Sequence, residues 1–241
     1  SNQRIEVSDF NQNKTIISVP IQYSNQEAKV LSQEKPTKFS VKAKVDAIFE
    51  KDNYSVFFPA GTFYDDYYLN FEVKNKVLFL HEDVVPAHTN FTITATDDKA
   101  SEADKKQMFI ASFNGKKWTY NFTKLNGSTF TCKSKTLGKF ALMKDTIAPK
   151  IKISKSIEGK WLSDQKSISL SISDDFSGVK TYNGYLNDQW VLFEYESKQN
   201  KITHVFKDNL LLEGANKLKV IVTDNVGNST IFETQFNRSQ K

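Results

Sequence analysis

The sequence predicts an all-β protein: two β-sandwich domains in tandem, preceded by a single β-hairpin. Apolar and polar residues alternate with a period of two in most segments, only one short segment has a helical pattern, and one strand-turn-strand pattern occurs twice. Aromatic residues make up 13% of the 241 residues, so two domains of about 100 residues can each bury a core.

The repeated pattern defines the predicted hairpin. Residues 5–17 (IEVSDFNQNKTII) align with residues 220–232 (VIVTDNVGNSTIF), so that Asp9 matches Asp224 and Asn13 matches Asn228. Each copy reads as a strand, a tight turn and a return strand, because Asp, Asn and Gly tolerate left-handed backbone angles. An isolated hairpin is marginal in water. We therefore interpret residues 1–21 as the terminal hairpin of a truncated upstream domain that resembles the C-terminal one.

Residues 22–145 form the second predicted unit, a β-sandwich. Its alternating segments include residues 39–43 and 91–95, which are rich in β-branched and aromatic side chains. The helical pattern covers residues 101–108, with Ser101 as the predicted N-cap and two acidic residues in the first turn. Cys132, the only cysteine, excludes an intrachain disulfide and is predicted to be a small buried apolar residue.

The third predicted unit covers residues 146–241. Pro149 favours extended backbone before it and marks the boundary. Seven strand candidates follow, near 150–154, 166–173, 179–186, 189–196, 201–206, 217–223 and 229–236. This number and spacing are typical of an immunoglobulin-like (Ig-like) or fibronectin III-like sandwich.

Composition excludes several functions. The net charge is +5, but Arg4 and Arg238 are the only arginines, and the lysines are interleaved with acidic residues, so we predict no nucleic-acid binding. No apolar run is long enough for a membrane span. The chain has no Gly-x-Ser-x-Gly motif, phosphate loop or dinucleotide fingerprint, so we predict that it is not an enzyme and has no catalytic residues.

Several segments carry a family resemblance. Residues 145–151 (DTIAPKI), 159–163 (GKWLS), 174–179 (DDFSGV) and 223–228 (TDNVGN) resemble bacterial extracellular Ig-like domains. Together with residues 58–66 (FPAGTFYDD) and 137–142 (LGKFAL), their order resembles the C-terminal region of lysostaphin-like (LytM-type) zinc metalloendopeptidases of Bacteroidota envelopes.

The resemblance implies an extracytoplasmic, non-catalytic accessory region of a peptidoglycan hydrolase. Zinc is expected only in an upstream catalytic domain, because His81, His88 and His204 form neither His-x-His nor His-x-x-x-Asp. The implied partners are that upstream domain and cell-wall or surface glycan. The alternative is a freestanding extracellular Ig-like binding or adhesion module that recognises glycan or protein.

Two groups of residues have the composition of a metal site, but we predict that neither group binds a metal ion. His81, Glu82, Asp83 and His88 have no standard ligand spacing and are interpreted as a polar loop. At one end of the C-terminal sandwich, carboxylates and an amide could hold Ca²⁺, but turn formation by their side chains is the favoured explanation. This second group consists of Asp174, Asp175, Asp224 and Asn225.

Aromatic residues are the candidate glycan contacts. Trp190, Tyr182 and Tyr185 could form a platform for sugar rings, as could the tyrosines at 64, 67 and 68. Alternation opposes this, because Trp190 and Val191 point to opposite faces of a strand and one face must belong to the core. Thr146 is a candidate for O-glycosylation in the native host, since Asp145-Thr146-Ile147 resembles the Bacteroidota signal; the alternative is that Asp145 and Thr146 satisfy local backbone groups.

Overall fold

The computed structural model of the protein describes residues 2–25, 36–206 and 210–239. The chain divides into two compact units, Ser1–Lys35 and Pro36–Lys241. Strands dominate both units, which confirms the predicted all-β class. Among the described residues, no helix is both long and apolar enough to cross a membrane.

The described part of the first unit, residues 2–25, contains one antiparallel hairpin. Strand β1 (Asn2–Ser8) pairs with β2 (Lys14–Pro20), with Ile5 opposite Ile17. In the turn, the amide of Asp9 donates to the carbonyl of Asn13 at 3.0 Å, and the Asp9 carboxylate accepts the amide of Asn13 at 2.9 Å. The predicted hairpin is confirmed. Every residue of both strands is exposed, and the attribution of this hairpin to an upstream domain stays a prediction.

The second unit begins with a sandwich of twelve strands, here called the first sandwich. Its strands are β3 (Phe39–Val41), β4 (Ala47–Lys51), β5 (Tyr54–Phe58), β6 (Tyr67–Leu69), β7 (Phe71–Lys74), β8 (Val77–Leu80), β9 (Phe91–Thr96), β10 (Met108–Phe113), β11 (Trp118–Tyr120), β12 (Thr123–Asn126), β13 (Thr129–Ser134) and β14 (Gly138–Lys144). Two five-stranded sheets, β11-β10-β14-β8-β7 and β12-β13-β9-β5-β4, accompany the short pair β3-β6.

The core of the first sandwich is rich in phenylalanine. On β9 the apolar and polar residues that alternate in the sequence lie on opposite faces of the strand. Phe91, Ile93 and Ala95 are fully buried, and the threonines between them are not. Helix α1 (Glu102–Lys106) lies between β9 and β10. The Ser101 hydroxyl accepts the amide of Asp104 at 3.1 Å, which confirms the predicted N-cap.

Cys132 on β13 is buried, as predicted, and burial raises the pKa of its thiol to about 12. We therefore expect no alkylation of native protein by iodoacetamide at pH 8, where the reactive thiolate is nearly absent, and complete alkylation after unfolding in guanidinium. Intact-mass spectrometry measures both. The variant Lys133→Cys places a second thiol at the exposed neighbouring position and should be labelled once in the native state. Labelling of Cys132 at the same rate as that control would contradict the prediction.

The second sandwich contains eight strands within residues 150–206 and 210–239. They are β15 (Lys150–Lys152), β16 (Ser167–Ser173), β17 (Val179–Leu186), β18 (Gln189–Val191), β19 (Glu194–Glu196), β20 (Lys201–Val205), β21 (Gly214–Asp224) and β22 (Ser229–Arg238), with a 3-10 helix at Ser197–Gln199. Two four-stranded sheets, β15-β16-β20-β19 and β18-β17-β21-β22, enclose its core. The domain boundaries at residues 21 and 145 stay predictions.

The prediction of one strand at residues 189–196 is wrong, because this segment forms two short strands, β18 and β19. The chain leaves one sheet after Val191 and joins the other at Glu194, so β18 and β19 pair with different neighbours. The buried ring of Phe193 lies between these strands and packs over Gly184 of β17. A Cβ at Gly184 would lie 2.2 Å from that ring, so only glycine leaves enough room.

Candidate functional site

The link between the two sandwiches is a five-residue segment, residues 145–149, between β14 and β15. Its first residue, Asp145, is buried, and its amide donates to the carbonyl of Gln107, at the end of α1, at 3.0 Å. Its last residue, Pro149, accepts a hydrogen bond from the Thr230 hydroxyl of β22. The link is therefore attached to the first sandwich at one end and to the second at the other.

Three carboxylates meet at this link. Asp145, Asp174 of the β16–β17 turn and Asp224 at the end of β21 each place an oxygen within 4.8 Å of the others. Asp145 and Asp224 are buried, and Asp174 is partly buried. We call these three residues the aspartate triad.

Backbone amides surround the aspartate triad. Asp145 accepts the amides of Ile147 and Ser177, both at 3.0 Å. Hydrogen bonding to the charged form stabilises a carboxylate at a site where burial would otherwise disfavour it.

The two turn aspartates accept amides from their own turns. The amides of Phe176 and Gly178 donate to Asp174 at 3.0 and 2.6 Å. Those of Val226 and Asn228 donate to Asp224 at 3.0 and 2.8 Å. The predicted turn-forming role of Asp174 and Asp224 is confirmed.

The other two members of the sequence-predicted group, Asp175 and Asn225, bind to groups other than the three carboxylates. Asp175 is exposed and forms an ion pair with Lys150, whose ammonium holds the pKa of Asp175 below its ordinary value. Asn225 donates to the carbonyls of Ser177 and Gly178 at 2.8 and 3.1 Å, and so joins two turns of the second sandwich.

Asn228 joins the triad to the first sandwich. Its side-chain amide donates to the Asp145 carbonyl at 3.1 Å and to the Asp224 carboxylate at 2.7 Å. Its side-chain oxygen accepts from Gln107 at 2.6 Å. Sequence reasoning did not place Asp145, Gln107 or Asn228 in one site. The sequence features that could have indicated this site are the aspartate four residues before Pro149 and the repeated Asp-Asn turn.

A ring contact adds an apolar component to the junction. Phe109 of β10 lies 5.0 Å from Phe176 of the second sandwich, centroid to centroid, and 5.0 Å from Tyr120 of β11. Aromatic pairs at this separation contribute about 0.5–1.5 kcal/mol beyond the area they bury. The junction therefore combines a hydrogen-bond network with an aromatic contact.

The triad offers the carboxylate oxygens that Ca²⁺ prefers, and it could hold such an ion. Among the described residues, no lysine or arginine pairs with these three side chains. The amide hydrogen bonds nevertheless account for the positions of all three carboxylates. They therefore have a structural role that requires no ion.

Two of the three predicted glycan contacts are neighbours. Trp190 is 58% exposed and lies directly opposite Tyr185 on the outer face of the β18-β17 pair. Tyr182 lies on the other face of β17, with its ring 5.7 Å from that of Tyr195. Tyr182 is therefore not part of the Trp190–Tyr185 surface. Val191 and Phe193 supply the core residues of this segment.

The predicted histidine loop does not gather metal ligands. His81 contacts the Tyr67 hydroxyl at 2.8 Å, whereas His88 contacts the Tyr64 hydroxyl at 2.9 Å. Within the part of the chain that the structure describes, the aspartate triad is the one group of three or more His, Cys, Asp or Glu ligand atoms in mutual reach. Thr146 is exposed on the link, and its modification stays a prediction.

Comparison with known proteins gives a partial family match. Residues 38–145, which span the first sandwich, match the Zu5-like domain family. No curated protein matches the chain.

Solved structures with some similarity include the fibronectin(III)-like modules of Clostridium thermocellum CbhA, with 13% identity over 63% of this chain and 86% of theirs, at a TM-score of 0.32. They also include tandem Ig domains of titin, with 9% identity over 64% and 89% at 0.27. The expansin of Clavibacter michiganensis has 11% identity over 61% and 82% at 0.26.

Proposed function

We propose that the chain is a non-catalytic accessory module that holds its two sandwiches in a fixed orientation and thereby positions a domain attached to it. The junction carries this proposal. The side chain of Asn228, in the second sandwich, forms hydrogen bonds with the Gln107 side chain and the Asp145 carbonyl. The ring of Phe176 packs against that of Phe109 in the first sandwich. A hinge that moved freely would break these contacts, whereas a spacer of fixed geometry requires them.

The attached domain, in this proposal, is a zinc metalloendopeptidase that acts on peptidoglycan outside the cytoplasm. The order of the resembling segments supports this proposal; they are residues 58–66, 137–142, 145–151, 159–163, 174–179 and 223–228. The zinc would belong to the attached domain. This chain alone should then release no fragments from peptidoglycan with or without added zinc, while the parent protein should. Zinc-dependent release by the chain alone would contradict the assignment.

A second candidate is a freestanding binding module, which the exposed Trp190–Tyr185 pair favours. The two candidates differ in the sequence encoded upstream. A zinc ligand set with His-x-His selects the accessory module. Further Ig-like repeats without that set select the binding module.

The fixed orientation makes a measurable prediction. Spin labels at Lys124→Cys in the first sandwich and Glu194→Cys in the second, in a Cys132→Ala background, should give one narrow distance distribution by double electron-electron resonance. Asn228→Ala should broaden it, because the bonds to Gln107 and Asp145 are lost.

Asn13→Ala is the matched control for that experiment. It removes the equivalent side chain from the β1–β2 turn, where the Asn13 side chain forms a hydrogen bond to Asp9 of the same turn. The distribution should then stay narrow. A broad distribution in the protein with intact Asn228 would exclude the fixed orientation.

A further inference from the structure

A row of side chains crosses the outer face of the β11-β10-β14-β8 sheet. Strand register places Phe79, Lys139, Phe113 and Trp118 directly beside one another on four adjacent strands. The Lys139 ammonium lies 5.2 Å from the ring centroid of Phe79 and 5.6 Å from that of Phe113. The Phe113 and Trp118 rings are 5.4 Å apart. The neighbouring residue Phe140 is buried in the core, so the row faces away from it.

The row ends at a groove of about 570 Å³. Three segments form it, each a loop or a loop with the adjoining strand end: residues 81–83, 112–115 and 136–139. Gly115 and Gly138 line this groove, and a Cβ added at either would meet no atom within 4 Å, so both face open space. The volume lies within the range of about 300–1,000 Å³ found for small-molecule sites.

The loops of the groove are held in place by side chains. His81 adopts a left-handed backbone conformation, with φ of 54°. Its Nδ1 accepts the amide of Asn70 at 3.0 Å, which leaves Nε2 to donate to the Tyr67 hydroxyl. The Asp83 carboxylate accepts the amide of Leu137 at 3.0 Å and joins two of the loops. Such a groove loses little entropy on binding.

The polar groups of the groove define the ligand chemistry. Neither the Glu82 carboxylate nor the second oxygen of Asp83 has a hydrogen-bond donor among the described residues, so both can accept. The side-chain oxygen of Asn114 accepts hydrogen bonds from the amides of Lys116 and Lys117. Its NH₂ group can therefore donate to a ligand. Among the residues that line the groove, two carboxylates face one ammonium, and this balance disfavours phosphates and other anions in the groove itself.

We propose that this groove and the adjoining aromatic row bind a neutral oligosaccharide. A sugar ring has an apolar C–H face that can lie on Trp118, next to the Phe113 ring. Other rings of the oligosaccharide have hydroxyl groups that can donate to Glu82 and Asp83 and accept from Asn114. The groove thus combines the two kinds of surface that such a ligand requires. This site is separate from the Trp190–Tyr185 surface and from the junction, so it goes beyond the proposed positioning role.

The experiment is a titration of the full chain with neutral hexasaccharides of β1,4-linked glucose, β1,4-linked N-acetylglucosamine and α1,4-linked glucose, followed by isothermal calorimetry and tryptophan fluorescence. At least one should bind, and Trp118→Ala should weaken it at least tenfold. Glu82→Gln, an exposed substitution that removes no described contact, should weaken it about threefold or more. Trp190→Ala should leave the affinity unchanged.

Several outcomes would overturn the proposal. They are no binding of any hexasaccharide at millimolar concentration, loss of binding in Trp190→Ala with retention in Trp118→Ala, or tighter binding of a polyanionic glycan or a peptide than of the neutral sugars. Thermal unfolding of Trp118→Ala tests whether that variant is folded. If it is not folded, the affinity of Glu82→Gln decides between binding in the groove and binding elsewhere.

Discussion

Asp224→Ala should lower the free energy of unfolding of the second sandwich by about 3 kcal/mol, since each of three donors left without an acceptor costs about 1 kcal/mol. Asp224 is fully buried. Its carboxylate accepts the amides of Val226 and Asn228 and the side-chain NH₂ of Asn228. The other two carboxylates of the triad keep their own amide hydrogen bonds in this variant.

Urea unfolding followed by tryptophan fluorescence measures this change. Asp9→Ala is the matched control, because Asp9 makes the same turn hydrogen bonds in the exposed β1–β2 hairpin. That control should leave the unfolding midpoint of the second sandwich unchanged. Equal midpoints for Asp224→Ala and the unsubstituted protein would show that the buried hydrogen bonds contribute nothing, contrary to our interpretation of the junction.

The repeated turn shows what the sequence alone could predict. The spacing of Asp9 and Asn13 matches that of Asp224 and Asn228. The two turns share the same carboxylate-to-amide bonds, 2.9 Å in the first copy and 2.8 Å in the second. The geometry of a tight turn depends on residues close in sequence. Local pattern is therefore sufficient to predict it.

The junction could not be predicted from the sequence, because its residues are far apart in the chain and no local pattern connects them. Asp145 lies 79 positions before Asp224 in the numbering, and only the packing of two sandwiches brings their carboxylates together. The same holds for the groove. Phe79, Lys139, Phe113 and Trp118 form one row because of the register of four strands. Alternation specifies the face on which a residue lies but not its cross-strand neighbour.

The strand predicted at 189–196 shows a different limit. Residues 189–196 alternate regularly enough to suggest one strand, but the buried Phe193 lies where the chain changes sheets. Gly184 on the neighbouring strand makes room for its ring. A pattern of alternation cannot reveal such a change, because both halves keep the same period. The glycine opposite the aromatic residue becomes informative only once the strands are paired.

The contact between Gly184 and Phe193 leads to the second large prediction. Gly184→Ala should lower the free energy of unfolding by about 2 kcal/mol or more, because the added methyl group would lie 2.2 Å from the Phe193 ring. The ring is 3% exposed and lies 5.5 Å from the ring of His204, so it has little space in which to move. Chemical denaturation of the full chain measures the loss.

A double-mutant cycle tests whether this clash is the cause. Phe193→Ala alone should cost about 3–5 kcal/mol, through lost burial and the cavity that remains. In the Phe193→Ala background, however, Gly184→Ala should cost less than about 0.5 kcal/mol, because the methyl group enters space that the ring has vacated. Additive losses would mean that the glycine is required for its backbone and not for the ring. A coupling above about 1 kcal/mol would show that Gly184 is needed to make room for the Phe193 ring.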